Sequence, residues 1–223
     1  MQAKWIFRVA LSSSMAVMLS ACVGPTQLEG QWRNPQCSEC FPAKSALVVV
    51  ATPNVVARRL LEDELAKQLR QHQVQAVVSY LYFSTPTSNT ADNHSQEVLA
   101  LAKQLHLDNI LTTQVMKVTQ PQVYSAPAPV WGWNNFPGYY QGLWAPTYDF
   151  PAIVYVAPEI YAQTTLYNVP HQKFSWMGST QTTPVGYSMA ALAQQMAGLL
   201  VGEMATQNVI GPQQADSLAL SAP

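Results

Sequence analysis

SALVVVAT, Ser45 to Thr52, sets apolar and β-branched side chains side by side with no polar residue between them. A strand wetted on one face alternates, whereas a strand covered on both faces reads as a continuous apolar run. The stretch therefore predicts a central strand with helices on either side of its sheet. Downstream, Thr52 and Pro53 offer a cap and a first-turn proline. Val56, Leu60, Leu61, Leu65 and Leu69 then recur near one face of NVVARRLLEDELAKQLRQHQ, residues 54–73. This is an amphipathic helix. The pairs Arg58/Glu62 and Arg59/Asp63 stand four apart and read as its solvated face rather than a binding site.

The alternation continues. VQAVVSYLYF (74–83) reads as a second strand, and a polar loop follows over 84–93. SQEVLALAKQLH (95–106) is a second amphipathic helix through Val98, Leu101, Ala102 and Leu105, and NILTTQVMKVTQPQVYS (109–125) is a third strand. Strands alternating with helices of this length imply parallel pairs. Two alternating runs, AIVYVAPEIYAQTTLYNVP (152–170) and KFSWMGSTQTT (173–183), are joined by Pro170-His171-Gln172 and predict an antiparallel hairpin. The last helix, SMAALAQQMAGLLVGEMATQN (188–208), is capped by Ser188. Gln194, Gln195 and Glu203 interrupt its apolar surface, so it reads as a buried helix whose Gly198 and Gly202 allow close packing, not as a membrane span. The expected fold is α/β (α+β), a mixed sheet of about five strands in the order β-α-β-α-β-(aromatic loop)-β-β-α.

The first 21 residues carry Lys4 and Arg8 ahead of a short apolar run ending in Leu19-Ser20-Ala21-Cys22. The pattern is that of an export signal, and its end resembles the lipobox of bacterial lipoproteins. That resemblance implies a cut before the cysteine, which then takes a diacylglyceryl and a palmitate-type chain; an ordinary secretory leader cut elsewhere, with Cys22 a free thiol, is the alternative. Cys22 is the expected lipidation site. Val23, rather than Asp, follows it, which under the sorting rule of such lipoproteins implies the outer membrane, with the domain facing the periplasm. Residues 22–43, polar and proline-bearing, read as a lipidated tether, 44–211 as one domain with an aromatic insertion at 120–150, and 212–223 as a polar tail. Losing the signal takes Lys4 and Arg8 from the eleven basic residues and none of the twelve acidic ones, so nothing here favours nucleic acid as a partner.

Cys37 and Cys40, in NPQCSECFP, remain as a pair in an oxidising compartment. A structural disulfide is the expectation; paired thiols on a metal and a redox motif are the alternatives. The histidines His72, His94, His106 and His171 show no paired spacing for zinc. Nucleophile-elbow, zinc-helix, phosphate-loop and calcium-loop patterns are absent, and no cofactor is implied. Asp149 and Glu159 are the only carboxylates between Asp108 and Glu203, and neither has an evident partner for paired acid–base work.

From Gln120 to Pro151 prolines recur too often for a helix or a central strand, and aromatic rings are interleaved with Gly and Asn. The segment reads as a long loop at the end of a hairpin. Either its rings fold back over the sheet as a lid, or they stay exposed as a contact edge. In the second reading Trp131, Trp133, Tyr139, Tyr140 and Trp144 carry binding to a protein, a glycan or the lipid interface. With no charged residue between Lys117 and Asp149, such binding would depend little on salt.

The phrases GQWRNP (30–35), LVVVAT (47–52), RRLLEDELAKQL (58–69), VVSY (77–80), ILTTQV (110–115) and FSWMGSTQT (174–182) resemble a large group of uncharacterised lipoproteins of Gram-negative bacteria. The resemblance spans most of the mature chain. It implies a fold like that of the N-terminal domain of TolB, the curli secretion lipoprotein and the lipoprotein activators of penicillin-binding proteins, which work through protein contacts. It brings no catalytic residues. The expected role is a non-catalytic envelope accessory or binding module, with an unknown envelope protein or glycan as partner. A cell-wall or glycan-acting enzyme is the alternative, and a curli-type secretion component is disfavoured by the prolines of the insertion.

Overall fold

The computed structural model describes residues 24–84, 91–118, 135–143 and 159–211. In chain order the elements are β1 (Thr26–Arg33), β2 (Ser45–Ala51), α1 (Val55–Gln71), β3 (Gln75–Val78), α2 (Ala91–Gln104), β4 (Asn109–Val118), α3 (Phe136–Leu143), β5 (Glu159–Asn168), β6 (Lys173–Thr182) and α4 (Met189–Thr206). The strands form one mixed sheet ordered β1-β6-β5-β4-β2-β3. β2 pairs in parallel with both β3 and β4, while β4–β5, β5–β6 and β6–β1 are antiparallel.

Every residue of β2 is buried. Ala46, Val48 and Val50 enter one core with Leu61, Leu65 and Leu69 of α1 and Met196, Leu200 and Met204 of α4. Leu47, Val49 and Ala51 enter a second core with Val98, Leu101 and Ala102 of α2 and Phe136, Tyr139 and Tyr140 of α3. The sheet thus lies between two helical layers, and the unbroken apolar run is the two-sided burial it predicts.

The sheet has six strands, not five. The extra one is β1, which lies within the stretch expected to be a tether and pairs with β6 from Thr26↔Thr182 to Arg33↔Trp176. It is an edge strand with most side chains in solvent, so it carries no apolar signature. β3 ends earlier than the apolar run suggests, because the Ser79 and Tyr80 N–H groups donate to the Glu62 carboxylate at 2.7 and 3.0 Å instead of extending a ladder. The α1 cap is Asn54, whose Oδ1 accepts from the N–H groups of Val56 and Ala57 at 3.0 Å, and not Thr52. Ser188 does cap α4, accepting from Ala191 N–H. No helix among the described residues is long and apolar enough to cross a membrane. Gly198 and Gly202 of α4 do not serve close packing, since a Cβ at either would meet nothing within 4 Å.

The register gives the sheet two unlike ends. At one, called the upper end here, β1 and β5 begin and β2, β3, β4 and β6 finish, as in Thr26↔Thr182 and Ile160↔Thr182. At the lower end β2, β4 and β6 begin and β1 and β5 finish, as in Asn109↔Asn168 and Asn168↔Lys173.

Candidate functional site

The lower end holds a cleft of about 620 Å³ lined by Ser38 to Lys44, Asp108, Asn109, Asn168, Pro170 and His171. Its floor is a ladder of polar groups at the strand ends. Asn168 Nδ2 donates to Asn109 Oδ1 at 3.1 Å, and Asn109 Nδ2 donates to the Ser45 carbonyl at 3.0 Å. The Asp108 N–H donates to Ser45 Oγ at 2.8 Å, and the His171 N–H to Asn168 Oδ1 at 3.0 Å. These bonds fix where β2, β4 and β5 meet, as buried polar groups must when they are removed from water.

One wall is the turn between β1 and β2. Cys37 and Cys40 are joined there by a disulfide, their Cα atoms 5.3 Å apart, and both are buried. Phe41 lies under the Arg33 guanidinium, 4.1 Å from its ring centroid, and is followed by a cis peptide to Pro42. The turn thus holds Glu39 out over the cleft mouth, where its carboxylate comes within 3.6 Å of Lys173 Nζ and 3.8 Å of His171 Nδ1. The Glu39 carboxyl is held below the usual carboxylate range. Its own backbone N–H is the first cause, against an opposing desolvation, and Ser38, Lys173 and His171 add to it. The mouth presents Lys44, Lys173 and His171 beside Glu39 and Asp108, a mixed-charge rim suited to polar or zwitterionic contacts.

Of the residues expected to act, Cys22, Trp131, Trp133, Trp144 and Asp149 lie outside the described residues. Tyr139 and Tyr140 correct the expectation of an exposed edge: they sit on α3 and are buried with Phe136. The Tyr139 hydroxyl bridges Thr112 Oγ1 at 2.7 Å and Thr165 Oγ1 at 2.9 Å, and burial pushes its pKa up against those two bonds. Phe136 meets Tyr167 at a 39° tilt with ring centroids 4.9 Å apart, and Tyr139 meets Phe174 edge-on at 5.1 Å. This part of the insertion is a lid on the core. Glu159 is partly buried and accepts from Tyr161 Oη at 2.7 Å.

The larger correction concerns Arg58 and Glu62, read as solvated and in fact both buried. Glu62 Oε1 accepts from Arg58 Nε at 3.0 Å, Val50 N at 3.1 Å and Ser79 Oγ at 2.9 Å. With the Ser79 and Tyr80 N–H groups on Oε2, one carboxylate ties α1 to the upper ends of β2 and β3. Arg59 and Asp63 stay at the surface, where Asp63 accepts from the Tyr80 hydroxyl at 2.8 Å. Among the described residues no group of three His, Cys, Asp or Glu side chains stands close enough to hold a metal ion.

No family model and no curated protein matches the chain. Among solved structures it is similar to PelC, a dodecamer, from Paraburkholderia phytofirmans, at 13% identity over 84% of this chain and 99% of that one, with a TM-score of 0.43. It is also similar to lipoprotein GNA1162 from Neisseria meningitidis, at 16% identity over 73% and 98% of the two chains, with a TM-score of 0.40. Identities this low say nothing about binding or chemistry.

Proposed function

We propose that this chain is a lipid-anchored, non-catalytic accessory module of the bacterial envelope that offers the lower-end cleft to a periplasmic protein or glycan. The observation that carries the reading is the polarity of the sheet. The chain enters β1 at the upper end, four residues after Cys22, while the cleft lies at the lower end. An acyl group on Cys22, with the outer membrane implied by Val23, would therefore hold the cleft away from the lipid by the length of β4, ten residues or roughly 33 Å. The ladder under the cleft is internally bonded, which leaves the Lys44, Lys173, His171 and Glu39 side chains at the mouth to meet a partner. Trp131, Trp133 and Trp144 stay in the proposal as further contact residues; Tyr139 and Tyr140 leave it, being core.

A photo-crosslinking residue at His171, with a control at the exposed Lys103 of α2, tests the reading in cells. Adducts confined to the His171 position, and lost when Lys173→Glu is added, support it. Equal adducts at both positions, or release of glycan fragments from cell wall by the purified domain, would overturn it.

A further inference from the structure

We propose that the upper end of the sheet is a seat for the lipid surface, formed by Val55, Val56, Leu81, Tyr82, Val185, Tyr187 and Met189. This rests on the lipid-anchor reading above. These seven side chains are the strongly exposed large hydrophobics of the described residues, and each is between 42% and 69% exposed. They are far apart in sequence, yet the topology brings all of them to one end. Val55 and Val56 follow β2 into α1, Leu81 and Tyr82 follow β3, and Val185, Tyr187 and Met189 follow β6 into α4. Scattered exposed apolar residues need no explanation; a set confined to one end does.

Charge is sparser at this end too, where Lys117 and Glu159 stand at the ends of β4 and β5. The three connections, residues 52–56, 79–84 and 183–189, contain no Asp, Glu, Lys, Arg or His. The lower end carries Arg33, Glu39, Lys44, Asp108, His171 and Lys173. Two tyrosines and several aliphatic side chains without formal charge suit the boundary between headgroups and acyl chains.

The anchor makes lipid the occupant. Cys22 precedes Thr26, the first residue of β1, by four positions, which at full extension span about 14 Å. An acylated Cys22 in the bilayer therefore keeps this end, and no other, within reach of the surface. The exposed side chains then lose water when they touch lipid, and the two attachments reinforce each other, because the first raises the effective concentration of the second. Being uncharged, the seat should hold zwitterionic and anionic bilayers alike.

The test uses acylated full chain in phosphatidylcholine proteoliposomes. A single nitroxide is placed at Leu81→Cys, Val185→Cys or His171→Cys; Cys22 is acylated and Cys37 and Cys40 are bonded to each other, so the introduced thiol is the one labelled. Labels at 81 and 185 should be more accessible to oxygen than to an aqueous nickel chelate, and the label at 171 the reverse. Labels at 81 and 185 in water overturn the proposal, as do labels screened from both probes in proportion to protein density, which would mean contact between copies. Independently of the anchor, the unacylated Cys22→Ser chain should partition onto phosphatidylcholine vesicles, and Leu81→Asp with Val185→Asp should weaken this by about tenfold or more, with little change between low and high salt. Equal partition of the two proteins overturns the seat. Mass analysis of the N-terminal peptide reads the anchor separately, so an unmodified Cys22 with a lost partition in the aspartate variant sinks the anchor and leaves the seat standing.

Discussion

Gly178 and the buried Glu62 show how single residues set this fold. Trp176 and Gly178 are two apart on β6 and share a face, and the indole, fully buried, lies along the strand so that a Cβ on Gly178 would come within 2.4 Å of its Cη2. The indole Nε1 is also fixed by Gln207 Oε1 at 3.2 Å. Gly178→Ala must displace a ring that cannot yield, and should cost about 1 to 3 kcal/mol in denaturant unfolding. Gly198→Ala and Gly202→Ala meet open space on α4 and should instead stabilise, by up to about 1 kcal/mol each, in the same measurement. Glu62→Gln would leave Arg58 facing a neutral amide in a buried site, with an expected loss of about 3 to 5 kcal/mol. Sequence spacing could not reveal that pair. Two basic residues each stand four positions before an acidic one, and the pattern is the same whether the side chains face water or core; the serine that completes the network, Ser79, lies 17 residues away from Glu62.

Among the elements, those with a strong apolar signature were legible and those without were not. β2 shows as an unbroken apolar run, α1 and the β5–β6 hairpin by the spacing of their apolar side chains and α4 by its overall apolar character, and all are found. β1 gives no such signal, because an edge strand in solvent needs only its backbone to pair. Its removal should matter nonetheless: a chain starting at Asn34 bares the β6 edge, and should unfold more readily and associate, as read by light scattering alongside thermal melting. α3 lies in a segment whose prolines argue against helix. Pro137 falls in its first turn, where no donor is lost, and Asn135 Oδ1 accepts from the Gly138 N–H at 2.9 Å, so the Asn-Phe-Pro-Gly order was itself a start signal. The same helix carries a pH dependence. The Tyr139 pKa is raised in the folded state, so its contribution to stability is whole below the ordinary tyrosine pKa of about 10 and is lost as pH rises through the higher folded value. Melting temperature should fall above about pH 10, and Tyr139→Phe should flatten that fall while costing roughly 0.5 to 1.5 kcal/mol at neutral pH for the bonds to Thr112 and Thr165.

At the scale of the whole molecule, the sheet has unlike ends: exposed apolar side chains gather above, where Lys117 and Glu159 stand at the ends of β4 and β5, and a polar cleft of mixed charge lies below. The sequence hides this because the segments that make each end are scattered along the chain and meet only through strand register. The position of β1 has a mechanical consequence. A pull on the N-terminus against a hold on the lower-end cleft enters the domain at Thr26 and runs along the strands. It cannot peel β1 from β6 one bond at a time, as a pull across the strands would. It loads the pairs from Thr26↔Thr182 to Arg33↔Trp176 together, in shear, so the edge strand with the least burial sits where the load path asks the backbone ladder to yield as one piece.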